Sequence, residues 1–166
     1  MSAVAHPKLA LRPMLPADAP MLAEIFRESI IELTGDDYSE AQQEAWAAAA
    51  EDEQGFGKRL GQQLTLIATL EGSPIGFISL AGADTVDMLY VHPAAAGQGA
   101  AAMLADAIEK LAASRGAAKL KVDASDSALG FFQKRGYVAK QRNSVAREGE
   151  WLATTSMEKQ LGGKPQ

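Results

Sequence analysis

The 166-residue chain contains no cysteine. That removes disulfides, thiolate nucleophiles and cysteine-based zinc sites from consideration. Histidine is nearly as scarce, and the two copies, His6 and His92, stand far apart in the sequence, so little material exists for a metal centre. Metal-independent chemistry is expected. The chain has no apolar run of the ~18–20 residues that a membrane helix needs, and Met1 to Pro7 lacks the basic and apolar regions of a secretory leader. A cytoplasmic protein without membrane association is the expectation. Positive charge is in deficit: 16 Lys and Arg against 21 Asp and Glu give a net charge of -5. Nucleic-acid surfaces normally show as basic patches, so a small-molecule or peptide partner fits better.

What remains has the composition of a packed protein, 47% hydrophobic and 22% charged. The length suits one domain, over residues 1–161, followed by a loose tail at 162–166.

Leu9 to Met14 reads as an opening strand, and Asp18 is placed to cap the helix that follows. Leu22, Ile25, Phe26, Ile30 and Leu33 recur at helical spacing and mark its buried face. After the turn Thr34-Gly35-Asp36-Asp37, Ser39 caps a second helix that contains Trp46 and runs to about Glu51. Gly55 to Gln63 stays open, since its glycines interrupt any periodic pattern. Leu64–Leu70 and Ile75–Leu80 form a hairpin across Glu71-Gly72-Ser73-Pro74, and Thr85–Val91 is the next strand.

From Gly99, Met103, Leu104, Ala107, Ile108 and Leu111 outline an amphipathic helix that stops at Gly116. Leu120 and Val122 sit in a short strand, and Asp126 or Ser127 caps a compact helix through Arg135. Tyr137–Ala146 and Trp151–Met157 make a terminal hairpin, whose edge offers a pairing surface for a second copy in a homodimer. Helices come early, antiparallel strands fill the middle, and one strand-helix-strand unit follows. The order implies a mixed α/β sheet.

The segment richest in chemical content runs from Leu89 through Tyr90, Val91, His92 and Pro93 to Ala102. A strand leads into a small-residue loop and then a helix start, which aims unpaired N–H groups and the positive end of a helix dipole at one point. An anion, most naturally a pyrophosphate, suits that point, and glycine and alanine let it approach the backbone. A plain Ala/Gly connection is the bland alternative. Gly97-Gln98-Gly99-Ala100-Ala101-Ala102 also fits a G-x-G-x-x-A dinucleotide fingerprint, with Asp123 as ribose ligand. Four residues separate the strand from the first glycine, however, and too little αβ sequence follows for a doubly wound NAD-binding sheet. A P-loop is excluded by the missing Gly-Lys-Ser/Thr.

On these residues the chain resembles the GNAT N-acetyltransferase superfamily, from Leu11 to Lys159. The family loop, Gln/Arg-x-x-Gly-x-Gly/Ala after Val-x-Pro, is matched by Ala96-Gly97-Gln98-Gly99-Ala100-Ala101 after Val91-His92-Pro93, with Ala96 in place of Gln or Arg. A second block, Asn-x-x-Ala-x-x-Φ-Tyr-x-x-x-Gly-Φ with Φ apolar or aromatic, is matched from Ser125 through Ala128, Phe131 and Phe132 to Tyr137. Here Ser125 replaces the Asn that binds the pantetheine arm, and Phe132 replaces the Tyr that protonates the thiolate.

The resemblance implies a central, mostly antiparallel sheet, splayed between the fourth and fifth strands and flanked by helices. It implies acetyl-CoA as acetyl donor, held by residues 96–102, by backbone near Leu89, Tyr90 and Val91, by Ser125, Ala128, Phe131 and Phe132, and by Lys134 in preference to Arg135. An amine acceptor would attack the thioester directly, with Asp87 as first candidate for the base and Asp84 in reserve. Tyr90 and Tyr137 have the chemistry to protonate the thiolate, although each also suits plain packing. Tyr38 and Trp46 stand as acceptor contacts by likeness to bacterial members, or as core aromatics. A non-catalytic acyl-CoA sensor and, distantly, an NAD-dependent oxidoreductase are the alternatives.

Overall fold

The computed structural model describes residues 8–162. Residues 163–166, most of the expected tail, lie outside them. Seven strands form one sheet: β1 (Leu9–Pro13), β2 (Leu64–Leu70), β3 (Ser73–Ala81), β4 (Thr85–Val91), β5 (Lys119–Ser125), β6 (Val138–Arg147) and β7 (Glu150–Gln160), in the order β1-β2-β3-β4-β5-β7-β6. Every pairing is antiparallel except β4 with β5. That exception follows from the crossover between these two strands, since the helix that joins β4 to β5 returns the chain in the same direction. The terminal hairpin places β6, not β7, on the exposed edge.

Five α-helices cover the faces: α1 (Ala19–Leu33), α2 (Glu40–Ala47), α3 (Glu53–Gly61), α4 (Ala100–Ser114) and α5 (Leu129–Lys134). The period-two alternation of the strands divides the core between them. Leu66 and Ala68 face α4 with Ile78, Leu80, Leu120 and Val122, where they meet Leu104 and Ile108. Ile67, Phe77 and Met88 face the other way, against Leu22, Ile25, Phe26 and Ile30 of α1 and Phe56 and Leu60 of α3. Each such side chain, once fully buried, contributes roughly 1.5–3 kcal/mol.

Local chemistry sets the boundaries, with some departures from expectation. Ser39 caps α2 as its sequence predicts, accepting from the Gln42 N–H at 3.1 Å while Gln42 reaches back to the Ser39 N–H at 2.8 Å. Asp18 does not cap α1. Its carboxylate accepts from the Leu15 N–H at 2.7 Å and from Arg12 at 2.8 Å, and this closes a 3-10 turn ahead of the helix. The guanidinium hydrogen bond, partly opposed by burial, lowers the Asp18 pKa. Neither Asp126 nor Ser127 caps α5: Ser125 Oγ accepts from the Ala128 N–H at 3.1 Å, Asp126 pairs with Arg142, and Ser127 donates to Asp37.

The ambiguous stretch around Gly55 is α3, capped by Asp52, whose Oδ1 accepts from the Gly55 N–H. The glycine at 57 reflects packing. A Cβ there would lie 2.6 Å from the Ala19 Cβ, so its absence lets α3 abut α1.

Candidate active site

The site begins with one extra residue in β4. Leu80 pairs with Val86 and Ser79 with Met88, leaving Asp87 as a bulge. A bulge bends its strand and changes its phase. Upstream of it, β4 and β5 pair through Thr85–Lys121 and Val86–Val122. Downstream that pairing ends, although β4 stays with β3 as far as Val91 and β5 with β7 as far as Ser125. The sheet therefore opens as a V whose first unpaired residues are Asp87 on one arm and Asp123 on the other. The His92 N–H donates to the Ile75 carbonyl at 2.7 Å. Alternation along the ladder then turns the backbone groups of Leu89 and Val91 away from β3 into the opening.

Beyond β4 the chain makes a 3-10 turn at Pro93–Ala95, closed by His92 Nδ1, which accepts from the Ala94 N–H at 3.1 Å. His92 thus has a turn-closing role. Gly97 and Gly99 follow at φ +81° and +88°, with open space where a Cβ would stand, so the backbone conformation itself calls for glycine. Gly99 is the N-cap of α4 and supplies no side-chain acceptor, and the helical ladder starts with the Met103 N–H to the Gly99 carbonyl at 3.0 Å. The N–H groups of Ala100, Ala101 and Ala102 are left free to meet an anion.

A cleft of about 270 Å³ runs along the helix α1–α2 side of the V. Tyr38, Trp46 and Tyr90 form an aromatic wall: the Tyr38 and Trp46 rings meet edge-on at 5.4 Å, and the Trp46 indole donates to the Tyr90 hydroxyl at 3.1 Å. Burial pushes the Tyr90 phenol up to about 12. Tyr38 donates to the Ala153 carbonyl at 2.5 Å and accepts from the Asp126 N–H at 2.8 Å, which fastens the entry to α2 onto β7 and onto the turn after β5. Its ring remains available to the cleft; its hydroxyl is committed.

Asp87 lies in the cleft with both oxygens engaged. Arg59 of α3 donates from Nε at 2.9 Å and from a terminal nitrogen at 2.8 Å, and Gln63 donates at 2.9 Å. Asp123, opposite, receives the Asn143 amide at 3.2 Å on one oxygen. Asp84 sits outside the cleft, 3.7 Å from Lys121. Phe132 is buried between Phe131 and Tyr137, at ring separations of 5.2 and 5.0 Å, and borders the cleft with Ser125 and Ala128.

The Tyr137 hydroxyl donates to Glu109 at 3.0 Å, and burial followed by the Glu109 charge raises its pKa. Glu109 also receives Arg135 at 2.8 Å and Lys159 at 2.9 Å. Burial alone would raise Glu109, but these hydrogen bonds outweigh it and hold its carboxyl below the usual range. Arg135 is thereby committed, whereas Lys134, one residue before it, is exposed and has no ion pair among the described residues.

Four cleft residues escaped sequence reasoning in these roles: Arg59, Asp123, Thr154 and Arg147. A helical reading of Glu53–Gly61 would have exposed Arg59 as a candidate, and Asp123 was weighed only as a nucleotide ligand. Thr154 and Arg147 carry no sequence signal, since only the register of β6 and β7 brings them to the cleft. Among the described residues no cluster of His, Asp and Glu forms a metal site, and no helix is long and apolar enough to cross a membrane.

The family described as "Acetyltransferase (GNAT) domain" matches residues 34–161. A solved structure from Rhodopseudomonas palustris, titled as a GCN5-related N-acetyltransferase, "Aminotransferase, Class-II", is 60% identical. The similarity covers 96% of this chain and 99% of that one, with a TM-score of 0.90. An uncharacterized N-acetyltransferase of Escherichia coli K12, YafP, is 29% identical over 149 residues, 90% of this chain and 94% of the relative. The PaiA N-acetyltransferase of Thermoplasma acidophilum, solved in complex with coenzyme A, shares the fold at 20% identity and a TM-score of 0.74, over 92% of this chain and 99% of that one.

Proposed function

The chain belongs to the GNAT acetyltransferase family, and from that premise we propose that it moves an acetyl group from acetyl-CoA to a primary amine of a small molecule or peptide by direct attack. The observation that carries this reading is the junction of the opened sheet with the small-residue loop: free backbone groups of Leu89 and Val91 lead to the unpaired N–H groups at the start of α4. A long donor with a polar amide arm and a pyrophosphate matches that sequence of sites.

Acetyl-CoA supplies an activated acyl carbon and a thiol leaving group. The protein supplies position and charge. Backbone N–H groups of the open β4 edge are placed to hold a developing oxyanion, an effect worth about 2.7–4 kcal/mol elsewhere. The amine nitrogen bonds to the acyl carbon, the carbon–sulfur bond breaks, and one proton must leave the nitrogen. We assign that proton to Asp123, directly or through water, because its second oxygen is uncommitted. Asp87, filled by Arg59 and Gln63, fixes the floor of the cleft instead.

Tyr90 holds its proton too tightly to serve the thiolate: a phenol at about 12 would give it uphill to a thiol near ~8.5. With Phe132 in the second tyrosine's position, the thiolate takes its proton from solvent. Lys134 is assigned to a CoA phosphate.

Coenzyme A should stabilise the protein in a thermal-shift assay and NAD should not, and primary amines should release thiol from acetyl-CoA. Stabilisation by NAD alone would contradict the reading. Phe132 gives one alternative some ground, a non-catalytic acyl-CoA sensor, which CoA binding without thiol release across an amine panel would favour.

A further inference from the structure

The acceptor half of the cleft has a polar layout that specifies more than "an amine". Its floor is the face of β5, β7 and β6, and the strand register orders the side chains along it. Asp123 is level with Ser156, Thr154 comes one step further along β7, then Leu152 opposite Val145, and finally Arg147 opposite Glu150. Asp123, Thr154, Leu152 and Arg147 all border the cleft.

Three of these groups have unspent bonding capacity. Asp123 receives a single amide hydrogen bond. Thr154 Oγ1 is buried, with the residue 9% exposed, and has no hydrogen-bond partner. Such a hydroxyl is destabilising unless something satisfies it. Arg147 donates only to the carbonyl of neighbouring Ala146, and among the described residues no carboxylate lies within 4.0 Å of its guanidinium. The other cleft arginine is consumed by Asp87. The cleft thus presents a free anion at the V, a free cation at the outer end, and an orphan hydroxyl between them.

The spacing selects the ligand. Six residues of β7 separate the level of Asp123 from that of Arg147, about 20 Å of strand, and β7 itself lies between β5 and β6, which adds two strand spacings, about 10 Å, across the sheet. An arginine stem of five bonds reaches back roughly 6 Å and an aspartate stem forward roughly 2–3 Å. From a diagonal of about 22 Å these stems leave room for a ligand roughly 13–14 Å long. An α-amino acid has its charges two bonds apart and cannot bridge them, and a polyamine would set a second cation against Arg147.

We propose, building on the acetyl-transfer reading, that the acceptor is an extended amino carboxylate of about tetrapeptide length. Its amine lies beside Asp123, an internal amide meets Thr154, and its carboxylate is held by Arg147. Leu152 and Val145, which line the cleft together with Trp46 and Tyr38, receive its apolar body.

The test is calorimetry on the protein saturated with CoA, using the peptide Ala-Leu-Ala-Ala as free acid and as C-terminal amide, with spermidine as the polycationic control. The free acid is expected to bind about tenfold or more tightly than the amide. Arg147→Gln should erase that difference and Arg147→Lys should restore part of it. Arg147 is exposed, so neither substitution threatens folding. Equal binding of acid and amide, an equal loss for both in Arg147→Gln, or tighter binding of spermidine would overturn the inference. Any of these with CoA bound and thiol released by other amines sinks this inference alone. Failure of CoA to bind would strike the proposed function first, and this with it.

Discussion

Arg59 of α3 grips Asp87 of β4 through both carboxylate oxygens, at 2.8 and 2.9 Å, at the residue where β4 bulges and the sheet comes apart. The pair ties a helix on one face to the point that opens the site, and neutralises one of the two aspartates there. Asp87→Asn and Arg59→Gln should each cost about 0.5–1 kcal/mol, the range for a partly exposed pair, with the double variant well short of additive. Urea denaturation of all four proteins measures this. In steady-state assays at neutral pH, Asp123→Asn should lower kcat/KM by about 10²-fold or more, the worth of a general base, and Asp87→Asn by much less.

Tyr90 is predicted to be an aromatic wall and not an acid. Tyr90→Phe should lower kcat less than tenfold at neutral pH, because general acids are worth about 10²–10⁴-fold. A loss beyond a hundredfold in steady-state assays would return the phenol to the mechanism.

The loop glycines are needed for backbone conformation. Gly97→Ala and Gly99→Ala should each cost about 1 kcal/mol in stability and weaken CoA binding, although no atom lies within 4 Å of the added methyl. Gly99→Asn should be milder than Gly99→Ala, since asparagine tolerates the left-handed region. Denaturation and CoA titration of the three variants report both effects.

Ala96 occupies the loop position where the family has Gln or Arg. Ala96→Arg should tighten CoA about three- to tenfold, with the gain falling at high salt as expected for a phosphate contact. Calorimetry at two ionic strengths provides the comparison.

Glu109 is an acid whose folded pKa is depressed, so its contribution is present above the unfolded value of about 4.3 and disappears as pH falls through the lower folded value. Glu109→Gln should therefore cost about 1–3 kcal/mol at pH 7, and the difference from the parent should shrink below about pH 4. Urea midpoints across pH reveal the sign.

Most of the scaffold was legible because its signals are local. Ser39 with Gln42, the Glu71-Gly72 and Glu148-Gly149 turns with their positive φ angles, and the 3.6-residue period of α1 and α4 act within a few residues. The loop at residues 96–102 was legible for the same reason. What could not be read depends on pairs distant in sequence. Nothing near Asp87 announces a bulge, because the extra residue exists only relative to β3. Gly57 looked like a helix breaker, since its partner Ala19 is 38 positions away. Arg147 and Thr154 become cleft residues through the register of two strands, and that register is invisible until the sheet is assembled.

The central claim is that the gap between β4 and β5, with the start of α4, is where acetyl-CoA is held. Amide hydrogen exchange with and without CoA tests it most directly. The account predicts protection of Leu89 and Val91 and of Ala100 to Ala102 on CoA binding, with the β1 amides unchanged. CoA binding that leaves those five amides exchanging as before, and protects another region, would contradict it.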